Sequence, residues 1–205
     1  MELTHWLSLL AVCVLGAMSP GPSLGVIIQI AVRQGRSQGV IASVGHGLGV
    51  GFYALLTALG LSVLITESPT LFLLVKVLGA LFLLYLGFVT LKKNGQKAGA
   101  SQQPSSPVST NSFVIGFLTA ALNPKLLIFF LALFSQFVRN EAQLLEKLLM
   151  AATVMVVDIV WYMLVSLLVS NAGIIARFSF LAGVMKTLFG LLLIGVAIEV
   201  LWSLL

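Results

Sequence analysis

"GAMSPGPSLG", residues 16–25, sets two prolines and three glycines inside one of the most apolar stretches of the chain. Proline removes an amide donor and clashes with the preceding turn, and glycine weakens a helix interior. A helix with this stretch near its middle is interrupted there. Composition says where the interrupted helix lies. Of 205 residues, 60% are hydrophobic and 8% charged, against about 25% charged in a soluble domain. Between Glu2 and Arg33 only His5 can carry a positive charge, and between Arg36 and Glu67 only His46. Each gap exceeds the roughly 20 apolar residues that cross a bilayer. The chain is read as an integral membrane protein. Its start, "MELTHW", has Glu2 and no Lys or Arg, so a cleaved leader with a basic first region is not expected.

Hydrophobic runs against their punctuation predict six spans, near residues 4–31, 38–65, 70–91, 112–138, 147–170 and 181–203. The stretch at 92–111, "KKNGQKAGASQQPSSPVSTN", is rich in Ser, Gln, Gly and Pro and reads as a flexible cytoplasmic linker. It divides the chain into a first unit of three spans, 1–91, and a second of three spans, 112–205. Its end, Ser109 to Ser112, offers cap residues for the fourth helix. Arg33, Arg36, Lys92, Lys93, Lys97, Arg177 and Lys186 fall on one side of the membrane, and Lys76, Arg139 and Lys147 on the other. That bias places the odd-numbered loops in the cytoplasm and both termini outside. The net charge of +5 is therefore a topology signal. Basic residues are dispersed among loops, with no stripe and no interleaved aromatics, so no nucleic-acid partner is expected. Trp6 and Trp202 fit interfacial anchors, and Gln29, Arg33 and Arg36 a helix end and loop.

The two halves resemble each other. "LGAMSPGPSLGVII" in the first span faces "LTAALNPKLLIFFL" in the fourth, aligning Ser19-Pro20 with Asn123-Pro124. Lys76, Gly79 and Gly87 in the third span face Lys186, Gly190 and Gly195 in the sixth. Three spans per half is an odd number, so the second copy crosses the membrane inverted. The expected fold is all-α and polytopic, a 3+3 inverted repeat with broken first and fourth helices. Secondary transporters place such breaks at the substrate site. The breaks free backbone amides that suit a carboxylate, with Ser19, Pro20, Gly21 and Pro22 forming the first and Asn123, Pro124 and Lys125 the second.

Asp158, in "VMVVDIVWYML", is the only acid well inside a span. An ionised Asp at a helix centre costs about 2.5–3.5 kcal/mol on insertion scales. It is expected to face the bundle interior, either as a proton-coupling or ammonium-binding carboxylate or as a structural ion pair with Lys125. Tyr162, one turn on, is placed to donate a hydrogen bond to it. Lys125 itself can hold a substrate carboxylate or neutralise Asp158. His46, in "GHGLGVG", reads first as a neutral core histidine bonded to a backbone carbonyl and second as a proton relay. Around it, Gly45 and Gly49, and Gly47 and Gly51, are spaced for close helix approach, within the bundle or in a homo-oligomer. The single Cys13 has no internal disulfide partner, and two His make no metal cluster.

These residues are similar to the lysine exporter (LysE/RhtB) family of bacterial amino-acid exporters. "SPGP" at 19–22, "GALFLLYLG" at 79–87, "GFLTAALNPKLLIFFLALFSQF" at 116–137 and "VVDI" at 156–159 carry the resemblance over nearly the whole chain. Ser135 departs from it, standing where the family often has Pro before Gln-Phe. The resemblance implies a six-helix, inverted-repeat exporter of the bacterial inner membrane, moving amino acids or close derivatives outward against protons; no cofactor is expected. One intramembrane acid favours a neutral substrate such as homoserine, threonine or leucine over a dibasic one. The rival readings are a cation exporter of the wider superfamily, a channel or structural membrane subunit, and a membrane-buried enzyme. The last lacks a nucleophile with a base.

Overall fold

A computed structural model describes residues 3–19, 21–92, 111–138, 142–168 and 172–204, excluding the side chains of 124, 125, 172–182 and 185. Pro20 and most of the linker, including Lys93 and Lys97, lie outside the described residues, as do Arg139 and the side chains of Pro124, Lys125 and Arg177. Among the described residues every regular element is an α-helix: α1 Leu3–Met18, α2 Pro22–Gln34, α3 Arg36–Glu67, α4 Pro69–Lys92, α5 Ser112–Ala121, α6 Pro124–Phe137, α7 Leu144–Leu168 and α8 Ala172–Trp202. Helices α3, α4 and α7 are each long and apolar enough to cross a membrane. The pairs α1–α2 and α5–α6 pass the same test as bent spans, turning by 57° and 60° at their breaks. The interruptions expected in the first and fourth spans are therefore present. Helix α8 covers the sixth expected stretch but starts at Ala172, so Lys186 falls within the helix instead of near its beginning.

Local chemistry sets the joints. Gly35 alone separates α2 from α3, with φ of 96°, in the left-handed region that side chains avoid. Gln29 consequently lies inside α2, which runs on to Gln34. Asn111 caps α5 by accepting from the Phe113 amide at 3.0 Å, as the cap residues at the linker's end suggested.

Helix α3 is the hub. It packs most heavily on α5 and α7 and also meets α2, α4 and α6, while α4 packs on α8 and α6. Close approach depends on small residues, because lipid offers no hydrophobic drive for helices to associate. The two glycine rows divide the work. A Cβ at Gly45 would collide with the Phe113 carbonyl of α5, and one at Gly49 would come 2.8 Å from the Ala120 Cβ. On the other side, a Cβ at Gly47 would collide with Ile159 of α7, and one at Gly51 would come 2.9 Å from the Met155 Cβ. Gly116 returns the contact from α5, its face pressed on the Ala42 carbonyl. Between α4 and α8 the touching glycines are Gly87 and Gly190, whereas Gly79 meets Ser135 and Ala132 of α6. Nothing lies within 4 Å of a Cβ at Gly195.

Large apolar side chains such as Phe52, Leu74, Phe88, Leu191 and Ile198 point outward, as lipid-facing surfaces should. Trp202 is exposed at the end of α8, but Trp6 is half-buried and donates to the Thr153 hydroxyl at 3.1 Å, tying α1 to α7. Gly45→Val is expected to destabilise the folded protein in detergent by about 1–3 kcal/mol or more, the scale of core overpacking. Gly60→Ala, whose added methyl meets nothing within 4 Å, should hold or raise stability by up to about 1 kcal/mol. Thermal unfolding of the two variants beside the parent protein checks both.

Candidate functional site

The two breaks share one grammar. Each second half-helix starts on a proline, Pro22 for α2 and Pro124 for α6. Proline suits a first helical position, where its missing amide has no partner to lose. The structural counterparts are therefore Gly21-Pro22 and Asn123-Pro124. The sequence alignment of Ser19-Pro20 with Asn123-Pro124 is displaced by one X-Pro step. Gly21 is extended and gives α2 no side-chain cap, which leaves the first-turn amides of Ser23 and Leu24 without one. At the other break the Asn123 carbonyl accepts from the amides of Leu126 and Leu127, at 3.1 and 3.3 Å. The Asn123 side chain reaches Ser23 Oγ at 3.5 Å, so the two breaks touch. The carbonyl of Ala121, which loses its helical donor at the break, accepts from the Tyr53 hydroxyl of α3. Freed backbone in lipid must be satisfied by a neighbour, and Tyr53 supplies that here.

Against the breaks stands a buried pair. His46 Nδ1 and Asp158 Oδ2 are 2.7 Å apart, with the residues 1% and 7% exposed. The partner of His46 is thus a carboxylate on α7 and not the backbone carbonyl expected of a core histidine. The described partner of Asp158 is that imidazole; the alternative pair with Lys125 rests on a side chain outside the described residues. Tyr162 sits on the same face but meets His46, ring centroids 4.8 Å apart and planes tilted by 42°. Among the described residues no hydrogen bond runs from Tyr162 to Asp158. Below the pair, Ser43 and Ser166 hydroxyls lie 3.2 Å apart, continuing a polar seam between α3 and α7. The second ring nitrogen, His46 Nε2, is buried with no hydrogen-bond partner among the described residues.

Breaks and pair face a single cavity of about 130 Å³. Its polar wall is Ser19, Ser23, Asn123, His46, Asp158 and Tyr162, with Gly21 and Pro22 at the first break. Its apolar wall includes Phe129, Phe130, Phe189, Leu126 and Val154. The volume is below the roughly 300–1,000 Å³ of drug-sized sites, so it suits a small solute with one charged or polar end. Ionisable residues brought together at depth therefore include two expected from sequence, Asp158 and His46, as one unit. Sequence reading missed Ser23 and the phenylalanine wall. A first-position role for Pro22 would have pointed to Ser23, as the counterpart of Lys125. Ser135, the departure from the family pattern, donates to the Ala132 carbonyl at 2.8 Å, and its amide position stays within unbroken α6. Among the described residues no three His, Cys, Asp or Glu side chains converge as a metal site.

Bent helices around a small, half-polar cavity deep in an apolar bundle define a polytopic membrane transporter. Residues 14–204 match the model of the LysE type translocator family, and the chain belongs to that family. It is 30% identical over 188 residues to the leucine efflux protein of Enterobacter sp., covering 87% of this chain and 86% of that one. It is 31% identical over 165 residues to the threonine efflux protein of Escherichia coli, covering 78% and 80%. A third relative, the uncharacterized membrane protein YahN of Escherichia coli, is 30% identical over 149 residues, covering 72% and 67%. No solved structure matches.

Tyr53→Phe removes the donor to the half-buried Ala121 carbonyl and should cost up to about 1–3 kcal/mol, the penalty of an orphaned acceptor. Tyr85→Phe, on a residue 62% exposed at the bundle surface, should leave stability unchanged. Unfolding midpoints of the two variants in detergent separate a specific cap from a general effect of losing a phenol.

Proposed function

We propose that this translocator exports a small neutral amino acid from the cytoplasm in exchange for protons, through the cavity between the two helix breaks. The observation that carries the reading is the His46–Asp158 pair, buried at 2.7 Å in a cavity that also contains Ser23 and Asn123 of the breaks. A zwitterion has a use for each wall. Its carboxylate is received by the uncapped amides of Ser23 and Leu24, by the Ser19 and Ser23 hydroxyls and by the Asn123 amide, where a helix N-terminus favours negative charge. The sequence sets a cation, Lys125, directly after the second break. The substrate's ammonium turns to the His46–Asp158 pair. The apolar side chain lies against Phe129, Phe130 and Phe189.

One acid at depth supports a substrate with one ammonium. A dibasic amino acid would bring a second cation with no partner. The names of two relatives, leucine and threonine efflux proteins, agree with a neutral substrate. With the orientation that Lys and Arg favour, the α4 end at Lys92 is cytoplasmic. Thr90, two residues from that end, lines the cavity, so this arrangement is the one that loads from inside. Export then follows from the two halves, residues 1–91 and 112–205, rocking about the site as inverted repeats do. The cell membrane of a bacterium is the expected location, with both termini outside.

The test is transport into and out of proteoliposomes under an imposed pH gradient, with L-leucine and L-threonine as probes. The parent protein should drive accumulation that collapses with the gradient. Asp158→Asn, inserted in the membrane in normal amount, should reduce gradient-driven accumulation to background. Asn123→Ala should weaken substrate affinity about ten- to hundredfold, the scale of a lost hydrogen bond to a charged group. Full accumulation by Asp158→Asn rejects the coupling role, and flux without accumulation in the parent protein makes the cavity a passive path.

A further inference from the structure

We propose that the exchanged proton resides on His46 Nε2, and that proton and substrate ammonium compete for that one atom. The inference rests on the export reading and names the chemistry by which its site couples. Three observations meet at this residue. Nδ1 is already engaged, 2.7 Å from Asp158 Oδ2. Among the described residues Nε2 is buried with no partner, and a buried polar atom left unsatisfied in a native fold calls for an explanation. The residue lines the cavity beside both helix breaks.

The two nitrogens have different duties. An ionised carboxylate has only acceptor atoms, so Nδ1 carries the hydrogen of the pair and donates it to Asp158. In the neutral ring Nε2 is then a lone pair, which accepts an N–H from a substrate ammonium. Protonation at Nε2 converts that acceptor into a donor of positive charge, and the ammonium loses its partner and meets a like charge. On the outer face a proton takes Nε2 and the amino acid leaves. On the inner face the next ammonium arrives, and the proton passes from Nε2 to the cytoplasm. One proton enters for each zwitterion expelled, and Nδ1–H stays on Asp158 throughout.

Asp158 is on this account a positioning residue. It fixes the tautomer and balances the imidazolium, acting on the substrate through His46. Tyr162 holds the ring from the side at a centroid distance of 4.8 Å. The titratable side chains that line the cavity with His46 are Cys13 of α1 and Asp158 and Tyr162 of α7. Helices α2 and α5 and the described part of α6 bring no acid or base to the cavity wall. A neutral substrate follows from the same atom, because there is one lone pair for one ammonium.

The experiment is substrate binding to the purified protein in weakly buffered detergent, with a pH indicator reading protons released. It runs between about pH 5 and 8, where histidine changes charge. L-leucine and L-threonine are the probes, and N-acetyl-L-leucine, which lacks the ammonium, is the control. Binding to the parent protein should release up to one proton. Its apparent affinity should fall toward about tenfold per pH unit on acidification, the limiting slope for one displaced proton. N-acetyl-L-leucine should release none. His46→Gln should bind more weakly than the parent at the alkaline end, with an affinity that no longer follows pH and no proton release. Binding by the parent protein with no release at any pH overturns the inference, whether or not the variant folds. Proton release retained by His46→Gln overturns it as well. If the parent protein neither binds the probes nor moves them in proteoliposomes, the export reading itself falls, and this inference with it.

Discussion

A carboxylate in the middle of a lipid-embedded helix has to find its counterpart inside the protein, and most of this architecture serves that requirement. Asp158 cannot face acyl chains at a cost of about 2.5–3.5 kcal/mol or more, so α7 must turn it toward a helix that carries a partner. The partner is His46, and the pair forms only if α3 and α7 run close together. Gly47 and Gly51 permit that approach, because any side chain there would strike Ile159 or Met155. Burying a charged pair is a poor source of stability, since desolvation offsets much of the attraction. What it gives is position: register between α3 and α7 is set by His46 and Asp158, with Ser43 and Ser166 repeating the match further along.

The helix breaks are the second expense the fold accepts, and the same central helix compensates for it. Interrupting α5–α6 orphans a carbonyl, and Tyr53 of α3 satisfies it. Interrupting α1–α2 leaves first-turn amides without a side-chain cap, at a break whose residues Gly21, Pro22 and Ser23 line the cavity. Helix α3 therefore holds the acid's partner, the hydroxyl that caps the second break and the glycines that let α5 and α7 in. Its low fraction of charged and bulky residues between Arg36 and Tyr53 follows from having packed neighbours on several sides.

Much of this was legible in the sequence because the signals are local. Long charge gaps give the spans, prolines give the breaks, and an isolated Asp in an apolar run must face inward. The glycine spacing of four gave two helix-contact faces without saying which helices use them. What the chain could not disclose locally was pairing across distance. Nothing in "GHGLGVG" names Asp158, 112 positions later, and a lone apolar-face histidine is more often a core residue. The proline register failed for a different reason. "SPGP" offers two X-Pro steps to align with one, and only the helix start at Pro22 decides between them.

That a site of this kind should sit where α3 meets α7 has a mechanical logic under the export reading. If the two halves rock against each other, groups at their shared axis move least, while the walls at either end move most. A hydrogen-bonded pair contributed by one helix of each half can then survive the whole cycle, and only access to it changes. The breaks are suited to the moving part. Each turns on a joint of two or three residues, so a half-helix can reorient without unwinding its own hydrogen bonds. A pair that stayed neutral overall when protonated would cross back with its charges matched, and one that exposed a lone pair when deprotonated would have reason to wait for an ammonium. Coupling then needs no separate proton pathway through the bundle, since the solute and the proton use the same cavity in turn.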